Sequence, residues 1–236
     1  MLPDVVDRAT WQAEVDALRR REKAHTHEGD AIAAARRRLP MVEVPADTQL
    51  IGPDGPVTLL DTFEGRRLLI AYYFMWHTGH PAAEQCEGCT FFHGQVRELS
   101  HFHSHDVTYA TFCRGPHEPS VRYRDFMGWD VPWYSMGGSA ETLHADRSKF
   151  ALVCYVRDGD RVFETYWTTG RGVEPMAPAY GLLDLTVHGR QENWEDSPAG
   201  WPRFPVETFL RTDGRPTAQW PRVAAGNSDD LTGARQ

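Results

Sequence analysis

A chain of 236 residues with 41% hydrophobic content is long enough to bury a sizeable core, as one decorated domain or at most two small ones. Its formal net charge of -8 argues against nucleic-acid partners, which select basic surfaces. No run approaches the ~18 consecutive apolar residues of a membrane helix, and the N-terminal stretch mixes charged with apolar groups in no signal-peptide pattern, so the expected compartment is the cytoplasm.

In chain order, residues 8–38 read as helical, with Thr10 as N-cap and Trp11, Val15 and Leu18 at i, i+4 and i+7. His25, Thr26, His27 and Gly29 interrupt the pattern, which predicts two helical pieces with a bend, ended by Leu39-Pro40. Arg36-Arg37-Arg38 suits a helix C-terminus, where cations meet the negative end of the dipole. Residues 50–59 form two short apolar segments around Pro53-Asp54-Gly55 and predict a small hairpin. Residues 68–75 are a buried strand, and a helix carrying Phe91, Phe92, Val96 and Leu99 is expected to begin at or just after Cys86. A second strand follows at 107–113, so the strand, helix, strand order implies a right-handed parallel crossover.

Residues 119–127 suit a helix with Pro119 near its start and Gly128 just past its end. Two strands at 150–156 and 161–168 flank Asp158-Gly159, an antiparallel hairpin turn. A helix is expected at 173–185, against Pro175, Pro178 and Gly181. From Asn193 onward Trp, Pro and Gly predict an irregular wrap, with the chain after about residue 222 disordered.

Four cysteines are too few for a secreted disulfide scaffold, and in a reducing cytosol a close pair points to catalysis or metal binding. Cys86-Glu87-Gly88-Cys89 is that pair, at a strand-to-helix junction where thioredoxin-like proteins carry a redox dithiol. Residues i and i+3 of a first helical turn lie about 5 to 6 Å apart, within reach of a disulfide. Cys86, exposed at the helix start, meets unpaired backbone N–H groups and is the expected nucleophile; Cys89, one turn inward, would resolve a mixed disulfide. Glu87 works against this, since a carboxylate about 6 Å away costs a thiolate about 0.7 kcal/mol at water-like dielectric and about 2.8 kcal/mol at an effective dielectric of about 20. His77, His80 and Arg114 are the candidate compensating cations. Cys113, at the C-terminal end of a parallel strand where open sheets place sites, could join the dithiol or be a small buried hydrophobe. Cys154, in mid-strand, reads as core.

The same stretch supports a second reading. His77, His80, Cys86, Cys89 and His93 offer nitrogen and sulfur ligands sufficient for zinc or copper. His101, His103 and His105 read as cations at the end of the same helix.

Further motifs are Arg37-Arg38-Leu39-Pro40-Met41-Val42, Gly52-Pro53-Asp54-Gly55 with Leu59, Asp61 and Phe63, then Glu64-Gly65-Arg66 and Tyr73-Phe74-Met75. Asp106-Val107-Thr108, Met127-Gly128-Trp129 with Pro132-Trp133, and Arg157-Asp158-Gly159-Asp160-Arg161-Val162-Phe163 follow the cysteine pair and its Phe91-Phe92. With these, residues 11–190 resemble the bacterial thioredoxin-like family catalogued as domain of unknown function 899, in the peroxiredoxin-like branch of the thioredoxin superfamily. The resemblance implies an α/β thioredoxin-like fold, a central mixed sheet flanked by helices, with a helical extension at 1–40, the main domain at 41–192 and a wrap and tail at 193–236. It also implies a thiol-based role, as a thiol-disulfide oxidoreductase or thiol peroxidase acting on a protein or small-molecule disulfide or peroxide. Cys86, Cys89, Cys113 and Arg114 are the candidate catalytic residues, with no cofactor beyond the thiols, no nucleic-acid or membrane partner, and a homodimer left open.

Overall fold

The computed structural model describes residues 2–144, 147, 150–205 and 209–233. By contacts the chain divides into two units, residues 1–40 with 198–201, and residues 41–197 with 202–236. Among the described residues no helix is long and apolar enough to cross a membrane.

The first unit contains one uninterrupted helix, α1 (Arg8–Arg36). Its cap is Asp7 and not Thr10: the Asp7 carboxylate accepts from Thr10 N at 2.8 Å and from Thr10 Oγ1 at 3.1 Å. The expected bend is absent. Thr26 donates its hydroxyl to Glu22 O at 3.1 Å, so the helix itself satisfies it, and one glycine costs a helix only about 1 kcal/mol. The basic run does meet the helix end, where Arg38 Nη1 donates to Ala34 O at 2.6 Å.

The second unit is built on one eight-stranded sheet. Its strands are β1 (Val42–Val44), β2 (Gln49–Gly52), β3 (Gly55–Thr58), β4 (Leu68–Phe74), β5 (Val107–Cys113), β6 (Trp133–Ser135), β7 (Ala151–Asp158) and β8 (Arg161–Thr168). They lie in the order β1-β8-β7-β4-β5-β6-β2-β3. β4, β5 and β6 are parallel, with Phe74 opposite Cys113 and Cys113 opposite Ser135. β7 joins β4 antiparallel and turns into β8 through the predicted hairpin. The Pro-Asp-Gly hairpin is β2–β3, with Gly55 at the positive φ that the turn requires.

Helices α2 (Glu87–His93), α3 (Ser100–Ser104), α4 (His117–Met127), α5 (Ala140–His144), α6 (Pro178–Asp184) and α7 (Trp220–Ala224) decorate this sheet. The result is a mixed α/β fold, a central mixed sheet flanked by helices. The helix expected to run from Cys86 past Leu99 is two pieces: α2 stops at Gly94, and His101 and His103 belong to the separate α3, with His105 just past its end. α4 ends at Gly128 as predicted, the glycine taking a left-handed φ. Of the helix expected at 173–185, the first part is a 3-10 segment (Gly170–Met176) and only α6 is α-helical, because Pro175 removes a backbone donor.

Period-two alternation sorts the sheet into two cores. Leu69, Ala71 and Tyr73 of β4, with Ala110 and Phe112 of β5, pack on one face against Leu50, Leu59 and Phe63. Tyr72 and Phe74, with Tyr109 and Cys113, pack on the other face with α2 and α4. The C-terminal stretch also differs from expectation. It forms a short hairpin, β9 (Arg211–Thr212) and β10 (Arg215–Pro216), then α7, and it continues to pack beyond residue 222. Asn227 Nδ2 donates to Phe126 O at 2.9 Å, and Leu231 is buried in the second core.

Candidate functional site: the Cys86–Cys89 turn

The parallel strand β4 delivers the chain to the edge of the second core, and α2 starts there with Cys86 as its N-cap. Cys86 Sγ accepts from Cys89 N at 3.4 Å, which aims the sulfur back over the first turn. Thr90 Oγ1 donates to Cys86 O at 2.7 Å and secures the same turn from behind. Cys89 is buried, and its sulfur accepts from Met75 N at 3.4 Å, tying the helix to the end of β4. Both thiols are free, and Cys86 is half-buried.

The two thiols differ in acidity. The Cys89 thiol hydrogen bond lowers the Cys86 pKa to about 7, against burial, with help from the Cys89 and Gly88 backbone and opposition from Glu87. Burial pushes Cys89 well above its ordinary value. α2 spans only seven residues, so the local N–H groups, and not a long helix dipole, supply the backbone contribution. Tyr72, fully buried on β4, faces Cys89, and its hydroxyl finds no partner of good hydrogen-bond geometry among the described residues.

The support of this turn comes from the far end of the chain. Arg211 donates from Nη2 and Nε to Glu87 Oε2 at 3.0 and 3.2 Å, and to Ala83 O at 2.8 Å and Gln85 O at 3.0 Å. Gln219, fully buried, donates from Nε2 to Ala82 O at 2.8 Å and to the Tyr123 hydroxyl at 2.6 Å. The Tyr123 hydroxyl in turn lies 2.7 Å from Thr90 Oγ1. Sequence reading missed both Arg211 and Gln219. Neither lies in a motif, and their contacts span more than 120 positions for Arg211 and 137 for Gln219 with Ala82.

The expected cations sit elsewhere. His77 Nδ1 is 2.8 Å from Glu84 O, and His80 Nδ1 is 2.7 Å from the Glu84 carboxylate. Gln85 holds this loop by accepting from His77 N and donating to His77 O and His80 O, each at 3.0 Å. Arg114 is exposed and makes no ion pair among the described residues; its backbone N–H donates to Phe74 O at 3.1 Å. Cys113 shares the second core with Cys89, yet its sulfur accepts from Gly115 N at 3.4 Å and burial raises its pKa to about 12. No hydrogen bond joins it to Cys86 or Cys89 among the described residues.

The expected metal set is not assembled either. His93 points inward, fully buried among Tyr72, Phe74, Trp129 and Trp133, with Nδ1 3.2 Å from Thr111 Oγ1. Burial lowers its pKa to about 3, so it is a neutral core group. Among the described residues no three His, Cys, Asp or Glu side chains are placed to hold a metal ion, so His77, His80, Cys86, Cys89 and His93 form no common site. Cys154 is paired opposite Ile70 in mid-sheet, away from the dithiol turn in the register.

A family model described as a bacterial protein of unknown function (DUF899) matches residues 1–208. The chain belongs to this family. The match stops short of Arg211 and Gln219. No curated protein matches the chain. Similar solved structures include peroxiredoxin Q of Xanthomonas campestris, at 14% identity and a TM-score of 0.42 over 58% of this chain and 94% of that one. Peroxidoxin BcpB of Mycobacterium tuberculosis is 16% identical with a TM-score of 0.41, covering 60% of this chain and 97% of its own. Thioredoxin of Wuchereria bancrofti is 16% identical with a TM-score of 0.38, over 60% and 95% of the two chains.

Proposed function

We propose that this protein is a thiol-disulfide redox protein in which Cys86 is the nucleophile and Cys89 the resolving thiol. One observation carries the reading: a half-buried thiol of pKa about 7 accepts a backbone hydrogen bond from a second free cysteine one turn deeper on the same helix. At neutral pH such a group is about half thiolate, and a pKa near ambient pH is the optimum of the trade between ionisation and nucleophilicity.

The Cys86 thiolate attacks one sulfur of a protein or small-molecule disulfide. A new bond to Cys86 Sγ forms, the substrate S–S bond breaks, and the departing thiolate takes a proton from water. Cys89 then gives up its proton and attacks Cys86 Sγ, expelling the second substrate sulfur as a thiol. Two electrons and two protons have moved from the dithiol to the substrate, and an external thiol reductant must return them. With a peroxide, the first attack cleaves the O–O bond and leaves a sulfenic acid on Cys86, the departing alkoxide or hydroxide taking a proton from solvent to leave as alcohol or water; the Cys89 thiol then condenses with the sulfenic acid to the same disulfide with release of a water.

The test is mass spectrometry of the reduced protein before and after stoichiometric glutathione disulfide or hydrogen peroxide. The expected result is a loss of two hydrogens mapped to the peptide carrying Cys86 and Cys89. Two thiols that stay alkylatable under both oxidants would overturn the reading.

A further inference from the structure

Glu87 poses a problem that the turn itself does not solve. It lies next to Cys86, and its negative charge opposes ionisation of that thiol. Within the loop before α2, His80 is spent on Glu84, and His77 on the Glu84 carbonyl. The titratable groups that act on Cys86 among the described residues are Glu87 and Cys89 on α2, Tyr72 on β4 and Tyr123 on α4, none of them a cation. Arg211 on β9 supplies a positive charge one step away, paired with Glu87.

Its placement is built and not incidental. Asp213 and Gly214 both take positive φ, which makes β9–β10 a tight two-residue hairpin and fixes the direction in which Arg211 leaves it. Trp220 Nε1 donates to Thr212 O at 2.9 Å, and Arg215 Nη1 donates to Gln219 Oε1 at 2.9 Å, so the hairpin is braced on the same segment that holds Ala82 and Tyr123. From there one guanidinium reaches the carbonyls of Ala83 and Gln85 and the carboxylate of Glu87, three acceptors that bracket Cys86 on both sides. A planar fork with five donors suits this; a lysine ammonium would not span it.

We propose that Arg211 is the positioning residue of the dithiol, a guanidinium from beyond the family-matched stretch that neutralises Glu87 and clamps the turn presenting Cys86. The proposal rests on reading Cys86 as the nucleophile, and it makes a separate claim about what tunes that thiol. The Arg211–Glu87 pair is partly exposed, with side-chain exposures of 22% and 41%, so its effect on Cys86 falls in the lower half of what a bare neighbouring carboxylate can do.

The experiment follows alkylation of Cys86 by iodoacetamide against pH in reduced protein, read by mass spectrometry of its peptide. Arg211→Ala should raise the midpoint by about half to one pH unit. Arg211→Ala combined with Glu87→Gln should return it to the parent value, because the charge that needed neutralising is gone. A lone structural role predicts otherwise: the midpoint would stay raised in the double variant, which overturns the proposal, as would an unchanged midpoint in Arg211→Ala. Should Arg211→Ala fail to fold by circular dichroism, Arg211→Gln keeps a donor for the carbonyls, drops the charge and carries the same comparison. Because the midpoint is a property of the reduced thiol, a dithiol that never closes to a disulfide would sink the redox reading and leave this result standing.

Discussion

Cys113 closes β5 and Cys86 caps the helix that follows the neighbouring parallel strand β4; both pack on one core, and each accepts a 3.4 Å hydrogen bond from a backbone N–H. Yet the first thiol is held at a pKa of about 7 and the second is pushed up to about 12. What separates them is the neighbourhood of the sulfur. Cys86 is half-buried, and the adjacent Cys89 thiol favours its thiolate; Cys113 is fully buried, and desolvation outweighs both its Gly115 backbone donor and the Ser120 side chain. Place in the fold is therefore a poor guide to reactivity, and the depth of burial is a better one.

The largest expected effect tests that contrast directly. A gap of five pKa units leaves Cys113 with about 10⁴-fold or more less thiolate than Cys86 at pH 7, and the greater nucleophilicity of a more basic thiolate recovers about two decades. Brief iodoacetamide treatment at pH 7 should thus label Cys86 over Cys113 by at least about a hundredfold, quantified from the two peptides. Comparable labelling would mean that the two environments are not as distinct as their geometry.

The contrast also has a thermodynamic side. A thiol whose folded pKa is depressed stabilises the fold above its unfolded pKa of about 9 and loses that contribution as pH falls through about 7. Between pH 9 and 7 the reduced protein should therefore lose stability relative to Cys86→Ser, at no more than about 1.4 kcal/mol per pH unit. Urea midpoints of both proteins across this window measure it. Cys113→Ser should show the opposite sign, and only above about pH 9, since its pKa is raised.

Much of this arrangement was legible in the sequence. The strands β4, β5, β7 and β8, the β2–β3 hairpin, α4 with its Gly128 stop and the cysteine pair at the start of α2 all follow from local period and turn chemistry. β1 and β6, three residues each, show too little alternation to be read as strands, although all of β6 is buried. The inward turn of His93 is invisible for another reason: a histidine in a helical pattern reads alike whether it faces solvent or aromatic rings. Arg211 and Gln219 are illegible in principle from spacing alone, because the contacts that define them join the two ends of the domain.

Gln219 discriminates between the two thiols at smaller cost. Gln219→Leu leaves Ala82 O with only the Gln85 N–H at 3.2 Å and removes one partner of Tyr123, so the fold should lose about 1 kcal/mol in urea denaturation. The alkylation rate of Cys86 should change with it, since Tyr123 and Thr90 connect Gln219 to the Cys86 carbonyl, while that of Cys113 stays as it was. Equal change at both cysteines would mean that the substitution loosens the core generally.

The smallest effect belongs to Glu87. A bare carboxylate at about 6 Å would shift a thiol pKa upward by about 0.5 to 2. Here the carboxylate is paired with Arg211 and partly open to solvent, so most of that field is already cancelled. Glu87→Gln removes the residual negative charge and leaves the Arg211 cation in place, and both changes favour the Cys86 thiolate. The midpoint of Cys86 alkylation should fall, by about half a pH unit or less, with little change in urea stability. A fall of a full unit or more would mean that Arg211 fails to screen Glu87 in solution. A rise would mean that Glu87 matters chiefly for holding the guanidinium on the turn, so that losing the anchor costs the thiolate more than losing the charge gains.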